Sequence, residues 1–210
     1  MPLLFLLTAC GDGTQAVETT DDFGNRVMYR QTPEGMRQGP AEVRNAEGQL
    51  VERANYAAGE LDGERIIFFP GTEQPQIVET YDRGTFAGTY KEYYEEGKLR
   101  QRGNYAAGVM TGEWVSYYPN GRVAEVVTFA DNNENGPFRE WYADGKPKAV
   151  GRYLDGDKEN GPLWVYGEET GELERYMLCD SGICTTKWTP DSVGQSAPAV
   201  PEELLLEEKP

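Results

Sequence analysis

A chain of 210 residues that sets 36 Asp and Glu against 20 Lys and Arg carries a formal net charge of -16 and contains no histidine. That charge repels nucleic-acid phosphates and anionic lipid headgroups, both of which are held by Lys and Arg, so nucleic acid is a poor partner. The missing histidine removes the commonest general base and the commonest metal ligand, and hydrophobic residues at 38% leave little for a thick globular core.

Residues 1–10 read MPLLFLLTAC. A short apolar run leads into Leu7, Thr8, Ala9 and Cys10. This resembles the lipobox of bacterial lipoproteins, in which small residues precede a cysteine that becomes lipidated and N-terminal. The resemblance implies a leader over 1–9, lipidation of Cys10 and a place in the bacterial cell envelope. Gly11 stands where inner-membrane retention would call for aspartate, which favours the outer membrane. No Lys or Arg precedes the run, which a start upstream of Met1 would explain. Residues 10–22 are otherwise small, polar and acidic, the composition of a flexible tether.

From Gly39 onward one unit is written repeatedly. Opening glycines fall at Gly39, Gly63, Gly88, Gly112, Gly136 and Gly161, spaced by 24 or 25 residues. A turn glycine recurs at Gly48, Gly97, Gly121, Gly145 and Gly171, and a closing aromatic at Tyr56, Tyr81, Tyr105, Phe129 and Tyr153. The unit at Gly63 has a longer turn across Pro70 to Pro75, and a degenerate half unit precedes Gly39. A fixed period of this length predicts an array whose neighbours share a core. Within each unit lie two strand-length runs. In Trp114-Val115-Ser116-Tyr117-Tyr118 alternate residues point to opposite faces, so Trp114 and Tyr118 share one face and Val115 and Tyr117 the other. Pro119-Asn120-Gly121 carries the Asn-Gly hairpin signal. Gly or Pro interrupts every window long enough for a helix.

The expected fold is therefore all-β, an elongated single-layer antiparallel meander of tandem β-hairpins, about six units of 24–25 residues. Strand spacing gives it a length of roughly 58 Å. The array is expected over 23–188, and an acidic, proline-containing tail over 189–210, mobile, with a leucine triplet that either forms one or two helical turns on a partner or folds back onto the array.

The units GTYKEYYEEGKLRQRGNYAAGVMTG and GEWVSYYPNGRVAEVVTFADNNENG resemble the bacterial MORN-repeat-variant family, with Ala41, Arg65 and Pro147 off pattern. The resemblance, over about 39–184, implies a single curved sheet of hairpins and no catalytic residues. Members of that family include antitoxins that neutralise secreted toxins and many lipoproteins of unassigned role.

Four candidate sites follow from the residues. Tyr90, Trp114 and Phe138, with Tyr94, Tyr118 and Tyr142, form aromatic ladders that serve either as the stripe holding a thin sheet together or as an exposed strip for glycan or peptide. Cys179 and Cys184 sit either side of Asp180-Ser181-Gly182-Ile183, a hairpin-length spacing that favours a disulfide in an oxidising envelope. Asp131, Asn133 and Asn135 match the front of an EF-hand calcium loop, but Tyr142 stands where its bidentate Glu is needed, and turn residues alone account for the run. Glu92 and Glu140 share a strand position two units apart, too far to act as a glycosidase pair. No enzymatic constellation and no cofactor emerge. The expected function is a non-enzymatic envelope lipoprotein whose array is a scaffold for a protein partner, with the membrane reached through lipid alone. An antitoxin or immunity protein against a basic toxin is the alternative, and a glycan-binding module the next.

Overall fold

The computed structural model describes residues 5–7 and 13–204, so Cys10 lies outside the described residues. Among the described residues sixteen strands follow one another in chain order as a hydrogen-bonded meander, and the only helical element is one 3-10 turn, Glu202–Leu204. Two compact units divide the chain. The first is Met1–Leu99 with Tyr105–Gly108, and the second is Arg100–Asn104 with Val109–Pro210.

The first unit holds β1 (Phe5–Leu7), β2 (Gln15–Thr20), β3 (Arg26–Gln31), β4 (Gly39–Arg44), β5 (Leu50–Ala57), β6 (Glu60–Phe68), β7 (Pro75–Asp82) and β8 (Thr85–Tyr93). β9 (Leu99–Ala106) contributes to both units, and the second holds β10 (Val109–Tyr117), β11 (Val123–Ala130), β12 (Asn133–Trp141), β13 (Pro147–Tyr153), β14 (Gly161–Tyr166), β15 (Leu173–Asp180) and β16 (Ile183–Trp188).

Two kinds of turn keep the strands in register. At five junctions the chain turns in two residues, both with positive φ: Ala58–Gly59, Arg83–Gly84, Ala107–Gly108, Asp131–Asn132 and Ser181–Gly182, whereas residues 154–160 join β13 to β14. Positive φ at both central positions is the type I′ signature, whose twist matches that of the strands. The second residue of each such turn donates its backbone N–H one repeat back, as Gly84 does to Leu61 at 2.7 Å and Gly108 to Phe86 at 2.8 Å. Within β4–β5, β8–β9, β10–β11 and β12–β13 the turn is three residues long, not the two-residue form that Asn-Gly suggests, and in β6–β7 and β14–β15 it is four. The Tyr118 carbonyl accepts from Gly121, Tyr118 N–H donates to Arg122, and Gly121 has φ of 86°. This is a type I turn closed by a left-handed glycine, and the register shifts beside it, so Tyr117 faces Val123 and Ala124 is passed over.

One face carries a row of directly opposed residues at the repeat's centre. In the first unit the row runs Ala41, Ala54, Arg65, Glu79, Tyr90. In the second it includes Trp114, Val127, Phe138 and Gly151. Large side chains lie across small partners. A Cβ on Gly103 would fall 2.1 Å from the Trp114 ring, and one on Gly151 2.9 Å from the Phe138 ring. Trp114 and Phe138 are each 2% exposed. The closing aromatics brace them: Phe138 stacks on Tyr153 with centroids 4.1 Å apart, and Trp114 meets Phe129 edge-on at 5.8 Å.

The opposite face of the second unit is also buried. Its row is Val115, Val126, Arg139, Val150, Trp164, Tyr176, Trp188. Val115, Val126, Val150 and Trp164 are all buried, because this row is apolar at nearly every strand.

Two boundaries differ from the sequence expectation. The tether over 10–22 contains β2, paired with β3 along its whole length and burying Val17 opposite Tyr29. The segment after β16 is docked onto the second unit rather than mobile. The Trp164 indole N–H donates to the Pro198 carbonyl at 3.1 Å, and Leu204 is buried against Val150 and Trp164.

Trp114→Ala should lower stability by about 3–5 kcal/mol, as loss of a buried aromatic does. Gly103→Ala should cost about 1–3 kcal/mol by overpacking the same contact. Leu178→Ala, at a 41% exposed position, should change it by less than about 0.5 kcal/mol. Denaturant melts of the three variants check this ordering.

Candidate interaction surfaces

The structure separates the two aromatic ladders. Trp114 and Phe138 are core, which removes them from any exposed binding strip, and Tyr90 is half-buried beside Tyr105 at 6.0 Å between centroids. Tyr94, Tyr118 and Tyr142 are half-buried at the start of their three-residue turns. The Tyr118 hydroxyl donates to the Trp141 carbonyl at 2.8 Å and the Tyr142 hydroxyl to the Tyr166 carbonyl at 3.0 Å. Both hydroxyls thereby tie one repeat to the next.

Asp131 belongs to the two-residue turn between β11 and β12. Asn133 turns its Nδ2 onto the Asp131 carbonyl at 3.1 Å, and the neighbouring Asn132 accepts from the Met110 N–H at 2.7 Å. Asn135 lies on β12 just before the opening Gly136. The side chains of Asn132 and Asn133 are thus engaged in turn chemistry, and no group of three acidic or cysteine side chains among the described residues converges to hold a metal. Cys179 and Cys184 are directly opposed on β15 and β16 and bonded to each other, with Cα atoms 3.9 Å apart.

The carboxylate pair that the fold does create is Glu125 opposite Glu140 on adjacent strands. Glu92 faces Ile77 instead. Burial, then the nearby Glu140 and Glu134, push the Glu125 carboxyl up to about 7, partly offset by Lys148. Lys148 bonds Glu140 at 3.1 Å. Tyr153 is pushed up by burial and by the same acids, and Glu134 by burial and Asp157. In the first unit a different solution appears. Arg65, off pattern at an opening-aromatic position, bonds Glu52 at 2.6 Å and the buried Glu79 at 3.2 Å, and Tyr81 donates to Glu79 at 3.0 Å. Its hydrogen bond to Glu52 and the charge of both acids hold the guanidinium protonated against the cost of burial.

The unspent charge is at the turns. On the edge of the first unit that carries the within-repeat turns, Asp22, Glu47, Glu73, Glu95 and Glu96 are all exposed. Repeats of about 9.6 Å, two strand spacings, set their pitch.

An array in which each repeat is a hairpin, most of them joined by paired-φ turns, defines a β-hairpin repeat protein. Residues 87–107, 110–131 and 134–155 match the MORN repeat variant, and the chain carries three consecutive repeats of this family. The matched stretches are the hairpins β8–β9, β10–β11 and β12–β13. The same hairpin architecture continues outside them at β4–β5, β6–β7 and β14–β15. No curated protein matches the chain.

Glu125 gives the fold a pH dependence of definite sign. The folded chain holds this proton more tightly than the unfolded chain, where the carboxyl has its ordinary value of 4.5. Its contribution therefore favours folding as pH falls from about 7 toward 4.5 and is lost as pH rises through 7. Glu125→Gln should raise stability at pH 8 by about 1 kcal/mol, a figure discounted for partial solvation, and flatten the slope between about pH 5 and 8. Thermal melts across that range report both effects.

Proposed function

We propose that the protein is a non-enzymatic lipoprotein of the bacterial cell envelope, tethered through Cys10, whose repeat array binds a cationic protein partner. The observation that carries this reading is the exposed carboxylates stacked along one edge of the first unit, on a chain of net charge -16. Side chains that elsewhere do chemistry are here committed to the sheet. Arg65 holds Glu52 and Glu79, and tyrosine hydroxyls bond backbone carbonyls of the next repeat. Opposite fields speed association and select against acidic competitors, so the partner class is a basic protein surface. MORN repeats are commonly protein or membrane interaction modules, which agrees with a scaffold. An immunity protein that masks a basic toxin is the particular case of this chemistry in which the partner is itself an enzyme.

The test has two arms. Cys10→Ser should move the full chain from the membrane fraction to the soluble one; membrane association unchanged by it would overturn the anchor. In the second arm, tagged full chain captures partners from detergent-solubilised envelope. Capture should weaken at least tenfold on raising salt from about 0.1 to 0.5 M, as screening requires. Glu95→Lys with Glu96→Lys should weaken it similarly without lowering the melting temperature. Capture indifferent to both changes would overturn the acidic edge as the interface.

A further inference from the structure

In the second unit, four strands present directly opposed residues on one face: Val150 on β13, Trp164 on β14, Tyr176 on β15 and Trp188 on β16. Trp164 and Tyr176 are in ring contact with centroids 5.3 Å apart. The segment that leaves β16 runs back along this row. The Trp188 indole N–H donates to the Gln195 carbonyl at 3.4 Å, and the Trp164 indole N–H donates to the Pro198 carbonyl at 3.1 Å. Leu204 is 3% exposed in a cluster with Val150 and Trp164, and Val200 packs against the same cluster.

The form of that segment is specific. Trp188 and Trp164 are two strands apart, roughly 9.6 Å, and the two carbonyls they hold, Gln195 and Pro198, are three positions apart in the chain. That is about 3.2 Å per residue, close to the 3.1 Å rise of a polyproline II chain and far from the 1.5 Å of a helix. Pro198 and Pro201 restrict φ to values this conformation needs. Residues 195–200 join no strand, and Gln195, Ser196, Ala197 and Ala199 are exposed. The segment is held by two indole donors and an apolar anchor, without a backbone ladder. Indole donors on an aromatic strip, set against carbonyls of an extended proline-containing chain, are the chemistry by which such chains are recognised elsewhere.

The geometry points to a peptide-binding track: the row Trp188, Tyr176, Trp164 and Val150 recognises extended, proline-containing peptides ending in an apolar anchor, and residues 195–204 are its built-in occupant. A tether of this length holds the occupant at an effective concentration of order millimolar. A free peptide of equal intrinsic affinity therefore meets a track that is mostly filled, and its apparent affinity falls by the filled fraction. A partner displaces the segment only if it binds better, or if the segment is first pulled away. This track lies on the second unit and does not involve the acidic edge or the lipid, so it stands or falls apart from the reading above.

The probe is a fluorescent peptide of sequence QSAPAVPEEL, the chain's own residues 195–204. Its affinity is measured by anisotropy on three full-length proteins: wild type, Leu204→Asp, and a form with Pro198→Gly and Pro201→Gly. The first variant removes the anchor and the second the stiffness, and the second touches no residue of the sheet. Both variants should bind the peptide at least tenfold more tightly than wild type. Adding Trp164→Phe, which keeps a ring and removes the N–H, should cancel most of that gain. A peptide with glycine at both proline positions should bind at least tenfold more weakly. Equal binding by wild type and the double-glycine form, or no binding by either, would overturn the track, whether or not Leu204→Asp folds.

Discussion

Register is the constraint on which everything else in this sheet depends. A strand has two faces with a period of two, so a slip of one residue carries every core side chain to the wrong side. The chain meets this with turns that fix the count at both ends of each hairpin. At the junctions, two residues with positive φ close the turn, and the second donates its N–H to the repeat before. At the other edge, in four of the hairpins, a left-handed glycine ends a three-residue turn, and the return strand of β10–β11 absorbs one extra residue. Alanine, arginine, aspartate and serine all serve at the first junction position, each held at φ near 50°. The strain of that φ is modest beside the hydrogen bonds it aligns.

Once register is fixed, the core is decided by pairs rather than single residues. Trp114 is buried because Gly103 offers no side chain, and Phe138 because Gly151 does not. The Arg65 repeat shows the same pairing rule with other chemistry. Arginine replaces the aromatic, and its partner position carries Glu79 instead of a small residue, with Glu52 and Tyr81 completing the set. Removing any one member would leave buried charge uncompensated, which costs more than the intact set contributes. The off-pattern arginine is thus a paired substitution, not a lapse in the repeat.

The period, the opening glycines and the closing aromatics were legible because each recurs at a fixed interval and each has a direct structural cause. The disulfide was legible because a hairpin brings residues five apart face to face. Other features were not. Asn120-Gly121 reads as a two-residue turn, whereas Ala107-Gly108 carries no comparable signal and forms one; the difference lies in which residues pair, which dipeptides do not encode. Glu125 and Glu140 meet only because β11 and β12 are adjacent with a bulge between Val127 and Phe129. Counting whole repeats matches Glu140 only with its equivalent Glu92, which is too far away to act with it, and does not reach Glu125. β2 buries one valine among polar residues, too little periodicity to stand out. The fold-back of the tail was open in its leucine triplet, but the contacts that hold residues 195–204, carbonyl acceptors for two indoles and a single leucine, are not read from composition.

These facts bear on where the protein can meet others. In the second unit one face is filled by ring-on-glycine packing and the other by an apolar row partly covered by the chain itself. A filled face binds nothing until something leaves it. What stays available is the edge of turns, where charge is exposed, and a row whose cover is held by two indole N–H groups and one leucine. The edge suits fast, salt-sensitive encounter, and the covered row suits slower exchange of one peptide for another. Repetition supplies both from the same unit: turns repeat the charge at every second strand, and direct cross-strand pairing lines up the indoles.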